Sequence, residues 1–221
     1  MFKGCHFPKP VILTCIRWYL RYKLSYRDLE EMLAERGVRV DHATINRWVI
    51  KFAPQLALRA RRHKRSVGRS WRMDETYIKV RGHWKYLYRA VDKVGGTVDF
   101  LLTARRDTDA ALRFLRRAIA GNGLPDKINI DKSGANAAGI DAYNAESGPR
   151  VQVRQCKYLN NIVEQDHRFV KQRMVAALGF QTFHTAKDTI TGIELVHMIR
   201  KGQVRPLRNG SDADQFNALA A

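Results

Sequence analysis

The sequence predicts an α/β fold, a mixed sheet flanked by helices, preceded by a separate all-helical N-terminal domain. Three observations carry that expectation. Apolar residues recur at helical spacing through residues 1–55. From residue 71 the pattern turns to short runs rich in β-branched and aromatic residues, punctuated by glycine. After the third run, helix-like and strand-like segments alternate, the order that builds a sheet with helices on its faces.

Pro10 opens a first helix that is expected to reach Tyr22, with Ile12, Ile16 and Tyr19 on one side. Ser25-Tyr26-Arg27-Asp28 reads as a capping-box start, in which the Ser25 hydroxyl accepts a bond from a free backbone N–H. The helix it opens carries Leu29, Met32 and Leu33, and Gly37 ends it. Asp41 is the expected N-cap of a third helix with the stripe Ile45, Trp48, Val49, Phe52, which Pro54 should close. Residues 56–70 read as a basic linker. The stretch 59–72 holds Arg59, Arg61, Arg62, Lys64, Arg65, Arg69 and Arg72 and no acid.

A second domain is expected over 71–202. Strands are predicted at 72–80, 84–91 and 97–103, with Gly82 and Gly95-Gly96 turning an antiparallel meander. Asp107 caps a helix to about Ala120. A short buried strand follows at 127–130, then a helix or loop, then a strand at 151–155. A long helix starts near Asn160, and another is expected over 184–201. Residues 203–221 are polar and Ala-rich with little periodicity, and a frayed tail is expected there.

Composition narrows the function classes. Of 221 residues, 40 are Lys or Arg and 21 are Asp or Glu, a formal net charge of +19. A chain this basic gains free energy from polyanions through counterion release, so nucleic acid is the first partner to consider, ahead of an anionic membrane surface, with a merely solvated basic surface as the plain alternative. Cys5, Cys15 and Cys156 are scattered without a CxxC pair, which argues against a disulfide scaffold or a Cys-rich zinc site. The apolar run 11–20 is interrupted by Arg17 and lacks a cleavage site, and no stretch approaches the roughly 20 apolar residues of a membrane span. A soluble, cytoplasmic protein is expected, with no membrane partner.

Two short helices joined by a glycine-containing turn, with a supporting helix before them, form a helix-turn-helix candidate. Its second helix would lie in the major groove of double-stranded DNA. The apolar stripe leaves His42, Thr44, Asn46, Arg47 and Lys51 outside, where Asn suits adenine, Arg suits guanine, and Thr or Lys suits phosphate. The plain alternative is a helical bundle with a solvated polar face. In the linker, Arg61, Arg62, Lys64 and Arg65 are candidate phosphate contacts, with a solvated tether as the plain alternative.

Three acids stand out by position. Asp74 lies inside the first strand, amid Trp71-Arg72-Met73-Asp74-Glu75-Thr76-Tyr77, where a carboxylate is unfavourable without a reason. Asp131 directly follows Ile128-Asn129-Ile130, at the carboxyl end of a strand, where α/β folds place ligands. Glu164 sits in the first turns of the late helix. His167 and Lys171 share its face as candidate DNA contacts, while Asp166 points away. Taken singly, each acid is better explained as a surface or capping carboxylate, and His167 as an ordinary surface or core histidine. Together their order and element types suit a site for Mg²⁺, with Mn²⁺ as a substitute, since hard cations take carboxylate oxygens. Two such ions about 4 Å apart serve in-line phosphodiester chemistry.

The order of strands and helices matches the ribonuclease H-like fold, and the motifs make a more specific likeness. Met73-Asp74-Glu75-Thr76-Tyr77, the run from Trp84 to Asp92, Asp131-Lys132, and the run from Lys157 to Glu164 closely resemble the DDE transposases of bacterial insertion sequences, nearest the IS-six group. The runs from Ser25 to Leu33 and from Val40 to Trp48 resemble the helix-turn-helix of that family. The likeness spans about Phe2 to Gly202.

That resemblance implies an RNase H-like catalytic domain with Asp74, Asp131 and Glu164 as catalytic metal ligands, and Mg²⁺ dependence. It also implies recognition of terminal inverted repeats, strand cleavage and transfer, and work as a homo-oligomer, at least a dimer. Lys171 matches a basic position of the family that contacts DNA. The spacing from Asp131 to Glu164 is slightly shorter than is usual there, a shortening expected in a loop at 141–149, and Asn46 replaces an expected tyrosine. An alternative from another class is a catalytically inactive DNA-binding regulator derived from a transposase. A nuclease that cuts without rejoining is a third reading.

Overall fold

The computed structural model describes residues 1–131, 134–148, 150–176 and 179–221. Lys132 of the Asp131-Lys132 motif and Pro149 lie outside the described residues. In chain order the elements are α1 (Lys9–Arg21), α2 (Tyr26–Ala34), α3 (His42–Arg61), β1 (Ser70–Val80), β2 (His83–Asp92), β3 (Thr97–Thr103), α4 (Thr108–Asn122), β4 (Lys127–Ile130), α5 (Gly134–Ser147), β5 (Gln152–Gln155), a 3₁₀ turn (Lys157–Asn160), α6 (Asn161–Ala176), α7 (Phe183–Arg200) and α8 (Asp212–Ala218). The chain divides into two compact units: Met1–Arg65 with Val170–Ala221, and Ser66–Phe169.

The first unit is helical. The helix starts expected from sequence are made by the expected residues. Ser25 Oγ accepts from Asp28 N at 3.1 Å while Ser25 N donates to Asp28 Oδ2 at 2.7 Å, and Asp41 Oδ1 accepts from Thr44 N at 2.9 Å. α7 packs along α3 and against α1. It is buried on nearly every side from Thr189 to Ile199, so its sequence shows no single apolar stripe. Gly192 lets the helices approach closely. A Cβ there would lie 2.7 Å from Leu20 Cδ1 and 2.8 Å from Ala53 Cβ.

Three sequence expectations need correction in this unit. Pro54 does not close α3, which continues to Arg61. Proline removes one backbone donor, but Leu56, Ala57 and Ala60 beyond it are buried, and their packing holds the helix together. The basic linker is not a free tether. Residues 56–61 are the end of α3, Arg65 N donates to Gln203 O at 2.8 Å, and Lys64 bridges to Val204. The tail is not frayed. A Ser211 capping box starts α8, Phe216 is 1% exposed, and Arg59 Nη1 donates to the carbonyls of Leu219 and Ala221. One buried aromatic and one long-range arginine order a segment too short to show a periodic pattern.

The second unit is built on a five-stranded sheet in the order β3-β2-β1-β4-β5. β1, β2 and β3 form the predicted antiparallel meander, while β4 runs parallel to β1 and β5 parallel to β4. This is the mixed, helix-flanked sheet expected of the ribonuclease H-like class. Asp92 fixes the turn between β2 and β3, accepting from Val94 N and Gly96 N at 3.0 and 2.8 Å, and it also accepts from Gly68 N at 2.9 Å.

One sheet face, carrying Trp71, Met73, Tyr88, Ala90, Ile128 and Ile130, buries against α4 and α5 through Phe114, Leu115, Ala118 and Ile140. Each large apolar side chain buried there contributes about 1.5–3 kcal/mol. Asp107 caps α4 as predicted, accepting from Ala110 N at 2.8 Å. The loop expected at 141–149 is instead helical as far as Ser147, because α5 lies closely on α4. A Cβ on Gly139 would come within 2.7 Å of Ala111 Cβ.

Candidate active site

The opposite face of the sheet carries a polar cluster among the buried apolar side chains of Ile78, Leu87 and Val91. Side chains alternate along a strand, so Arg72, Asp74 and Thr76 share the face turned away from Trp71 and Met73. Pairing places Arg89 of β2 across from Asp74 and Asn129 of β4 across from Arg72. Carried two steps further, the register of Ser70 with Lys127 and Arg72 with Asn129 sets Asp131 beside Asp74. The parallel pairing of two distant strands thus brings the first two acids together.

The third acid comes from α6, whose start is anchored by two asparagines. Asn160 Nδ2 donates to Met73 O at 3.3 Å, and Asn129 Nδ2 donates to Asn160 Oδ1 at 2.6 Å and to Cys156 O at 2.9 Å. Arg89 and Asp166 then form a buried ion pair at 3.1 Å between β2 and α6. Asp166 is the acid that sequence spacing turned away from Glu164, and it faces the sheet while Glu164 is exposed. Neither Arg89 nor the asparagine pair was picked out from sequence. A charged residue between Tyr88 and Ala90 in an apolar strand was the available signal for Arg89.

Negative charge gathers around Asp74. Burial pushes the Asp74 carboxyl up to about 7, and the negative charges of Glu75, Asp131 and Glu164 push the same way. Its side chain is 15% exposed. A buried carboxylate whose proton affinity is raised by neighbouring negative charge favours any cation that relieves the repulsion. Oxygen donors from three elements fit a hard divalent ion in chemistry. Among the described residues, however, no group of three His, Cys, Asp or Glu side chains is drawn together tightly enough to cage a metal.

His167 takes the plainer of its two sequence readings, a core histidine. It is 5% exposed, and its Nδ1 lies 3.6 Å from Asp74 Oδ2. The inward turn of α6 that buries Asp166 buries His167 too, and the imidazole faces the Asp74 carboxylate. Lys171, further along α6, is exposed.

In the helical unit, the candidate reading residues sit at the start of α3. His42, Asn46, Arg47 and Lys51 are exposed and Thr44 is half-buried. Several are already engaged. His42 Nδ1 lies 2.8 Å from Glu30 Oε2, Thr44 Oγ1 donates to Asp41 Oδ2 at 2.6 Å, and Arg47 Nη2 donates to Thr44 Oγ1 at 2.6 Å. These bonds fix side-chain directions at the helix N-terminus. Asn46 lines a small cleft with Tyr19, Tyr26, Ile50 and Thr189. Arg61, Arg62 and Arg65 are exposed, and Lys64 is half-buried at its bridge to Val204.

A family model described as a DDE domain matches residues 68–203. The chain is 42% identical over 212 residues to the transposase for insertion sequence-like element IS431mec of Staphylococcus aureus, covering 94% of this chain and 92% of that protein. It is 41% identical over the same length to the transposase for insertion sequence element IS257 in transposon Tn4003 of Staphylococcus aureus, with equal coverage. Among solved structures, the HTLV-2 integrase catalytic core domain in complex with magnesium aligns with a TM-score of 0.49 and 15% identity, covering 63% of this chain and 95% of that one. The catalytic core domain of BIV integrase aligns with a TM-score of 0.46 and 18% identity, over 65% and 88%. The chain belongs to the DDE transposases of bacterial insertion sequences, in the IS-six group, and is by class a polynucleotidyl transferase. No helix among the described residues is long and apolar enough to cross a membrane.

Proposed function

We propose that this transposase binds the terminal inverted repeats of its insertion sequence and carries out Mg²⁺-dependent strand cleavage and strand transfer, with Asp74, Asp131 and Glu164 as its catalytic metal ligands. The observation that carries the proposal is the Asp74 carboxyl, held near 7 by burial and by the charges of its acidic neighbours. Bound to those oxygens, Mg²⁺ would supply Lewis-acid polarisation of the scissile phosphate and a lowered pKa for the attacking water or 3′-hydroxyl.

The chain's own residues do the rest. Asp74 and Asp131 offer fixed oxygens from adjacent strands, and Glu164 adds one from α6. Arg89, Asn129 and Asn160 are positioning residues that hold α6 against the sheet. His42, Thr44, Asn46, Arg47 and Lys51 present hydrogen-bonding groups to the major groove, and Arg61, Arg62, Arg65 and Lys171 hold phosphates. Since an element has two ends, the working form is a homo-oligomer, at least a dimer, acting on DNA in the cytoplasm.

Asp74→Asn tests this directly. With oligonucleotide ends and Mg²⁺, the variant should bind DNA as the parent does and lose strand joining by about a thousandfold or more, the scale of losing transition-state charge stabilisation. Joining at the parental rate would overturn the assignment. Binding of cognate ends by the parent, with neither nicking nor joining, would point instead to a DNA-binding regulator.

A further inference from the structure

The sheet face that packs on α4 and α5 does not end where the helices end. Trp71, Met73 and Tyr88 lie beneath them, but further along β1 and β2 the same face carries Tyr77, Lys79, Trp84 and Tyr86. Tyr77 stands opposite Tyr86, and Lys79 opposite Trp84. The Tyr77 ring lies 6.1 Å from Trp84, edge to face, and 5.4 Å from Tyr86. Lys79 Nζ sits 5.7 Å from the Trp84 ring centroid. Tyr77 is 47% exposed and Trp84 57% exposed.

Exposed aromatic clusters are unfavourable in water and mark interaction sites. The charge around this one is of a single sign. From Thr76 to Val91 the sequence has no acidic residue, while Lys79, Arg81 and Lys85 are present. The nearest acid on this face, Glu75, has a side chain 4% exposed, is ion-paired with Arg106, and accepts from Asn136 Nδ2 at 2.7 Å.

We infer that the outer β1–β2 hairpin is a second nucleic-acid site, one that takes unpaired DNA bases on Tyr77, Trp84 and Tyr86 and their phosphates on Lys79 and Arg81. Aromatic rings on the open face of an antiparallel sheet, edged by cations, are the arrangement on which single-stranded nucleic acid stacks. A duplex covers its own base faces and would engage the cations alone. A second copy of the chain would bring an equally cationic face to this one, which repulsion disfavours. The inference rests on the reading that the protein acts on DNA, and it is independent of the three acids.

The test uses the full chain, with single-stranded oligothymidine and a blunt duplex of equal length as probes. Single strand should quench tryptophan emission, because Trp84 is exposed whereas Trp71 and Trp48 are buried and Trp18 is half-buried. Trp84→Ala and Tyr77→Ala should each lower single-strand affinity by about ten- to a hundredfold. Trp84→Phe should keep most of the affinity while losing the quench. Lys79→Ala should reduce the slope of log affinity against log salt by about 0.7. Binding of duplex element ends should stay within about twofold in all four variants, since each removes at most one phosphate contact.

Unchanged single-strand affinity in both alanine variants would overturn the inference. So would a shift of those variants from oligomer to monomer in sedimentation without loss of single-strand affinity, which would give the face to a second copy. Single-strand binding that depends on Trp84, in a protein unable to bind duplex ends, would uphold the inference while removing end recognition from the proposed function.

Discussion

The two faces of the sheet in the second unit are made by alternate residues of the same strands, yet they are held by different physics. Trp71, Met73 and Tyr88 on one face bury against α4 and α5, a contact driven by removal of apolar surface from water. On the other face Arg72 donates to Ser70 O, Asp74 faces His167 and Arg89 pairs with Asp166, all three buried or nearly so. Apolar packing tolerates exchange of similar volumes. A buried polar network requires each partner in place, because a deserted charge or amide keeps its desolvation penalty. A face held by such a network is therefore the less tolerant of substitution, and the apolar face supports it.

The contrast can be broken most severely at Arg89. Arg89→Met should destabilise the protein by about 3–5 kcal/mol in urea denaturation, since Asp166 would remain buried without its cation. Adding Asp166→Leu should recover a large part of the loss. No recovery would mean that Arg89 acts mainly by packing.

The next effect runs the other way. The Asp74 carboxyl is raised in the folded protein, to about 7, so it stabilises the fold below the ordinary aspartate range and loses that contribution as pH rises through 7. Asp74→Asn should therefore stabilise the metal-free protein at pH 8 by about 2–3 kcal/mol and change little at pH 4. Equal melting curves at pH 8 would show that Asp74 carries no such strain.

On the apolar face, Gly139→Ala should cost about 1–3 kcal/mol, because the added methyl meets Ala111 between α4 and α5. Gly192→Ala in the helical unit should cost a similar amount against Leu20 and Ala53. The smallest effect is expected at the outer hairpin. Trp84→Ala should change stability by less than about 0.5 kcal/mol, as an exposed residue outside the core does, so that any change in nucleic-acid binding there reads as function.

Much of the fold was legible because its signals are local. Ser25, Asp41 and Asp107 cap helices through bonds spanning three residues, and the Gly95-Gly96 turn is closed by Asp92 four residues before its last donor. The three acids stood out for the same kind of reason, as charges placed within or just after strand-like runs. The readings at Pro54, at the basic linker, at 141–149 and at the tail failed because long-range packing overrode local propensity. Arg59, for instance, reaches Leu219 across 160 positions.

Composition, periodicity and capping act over a few residues, so the order of helices and strands, the basic character of the chain and the choice of candidate acids could be read along the chain. Tertiary structure alone decided that Asp131 lies beside Asp74, that Asn160 anchors α6 to β1, that Arg89 takes Asp166 as its partner 77 positions away, and that His167 turns inward. Those outcomes depend on which distant segments share a face, and strand register and helix docking set them only when the whole core closes.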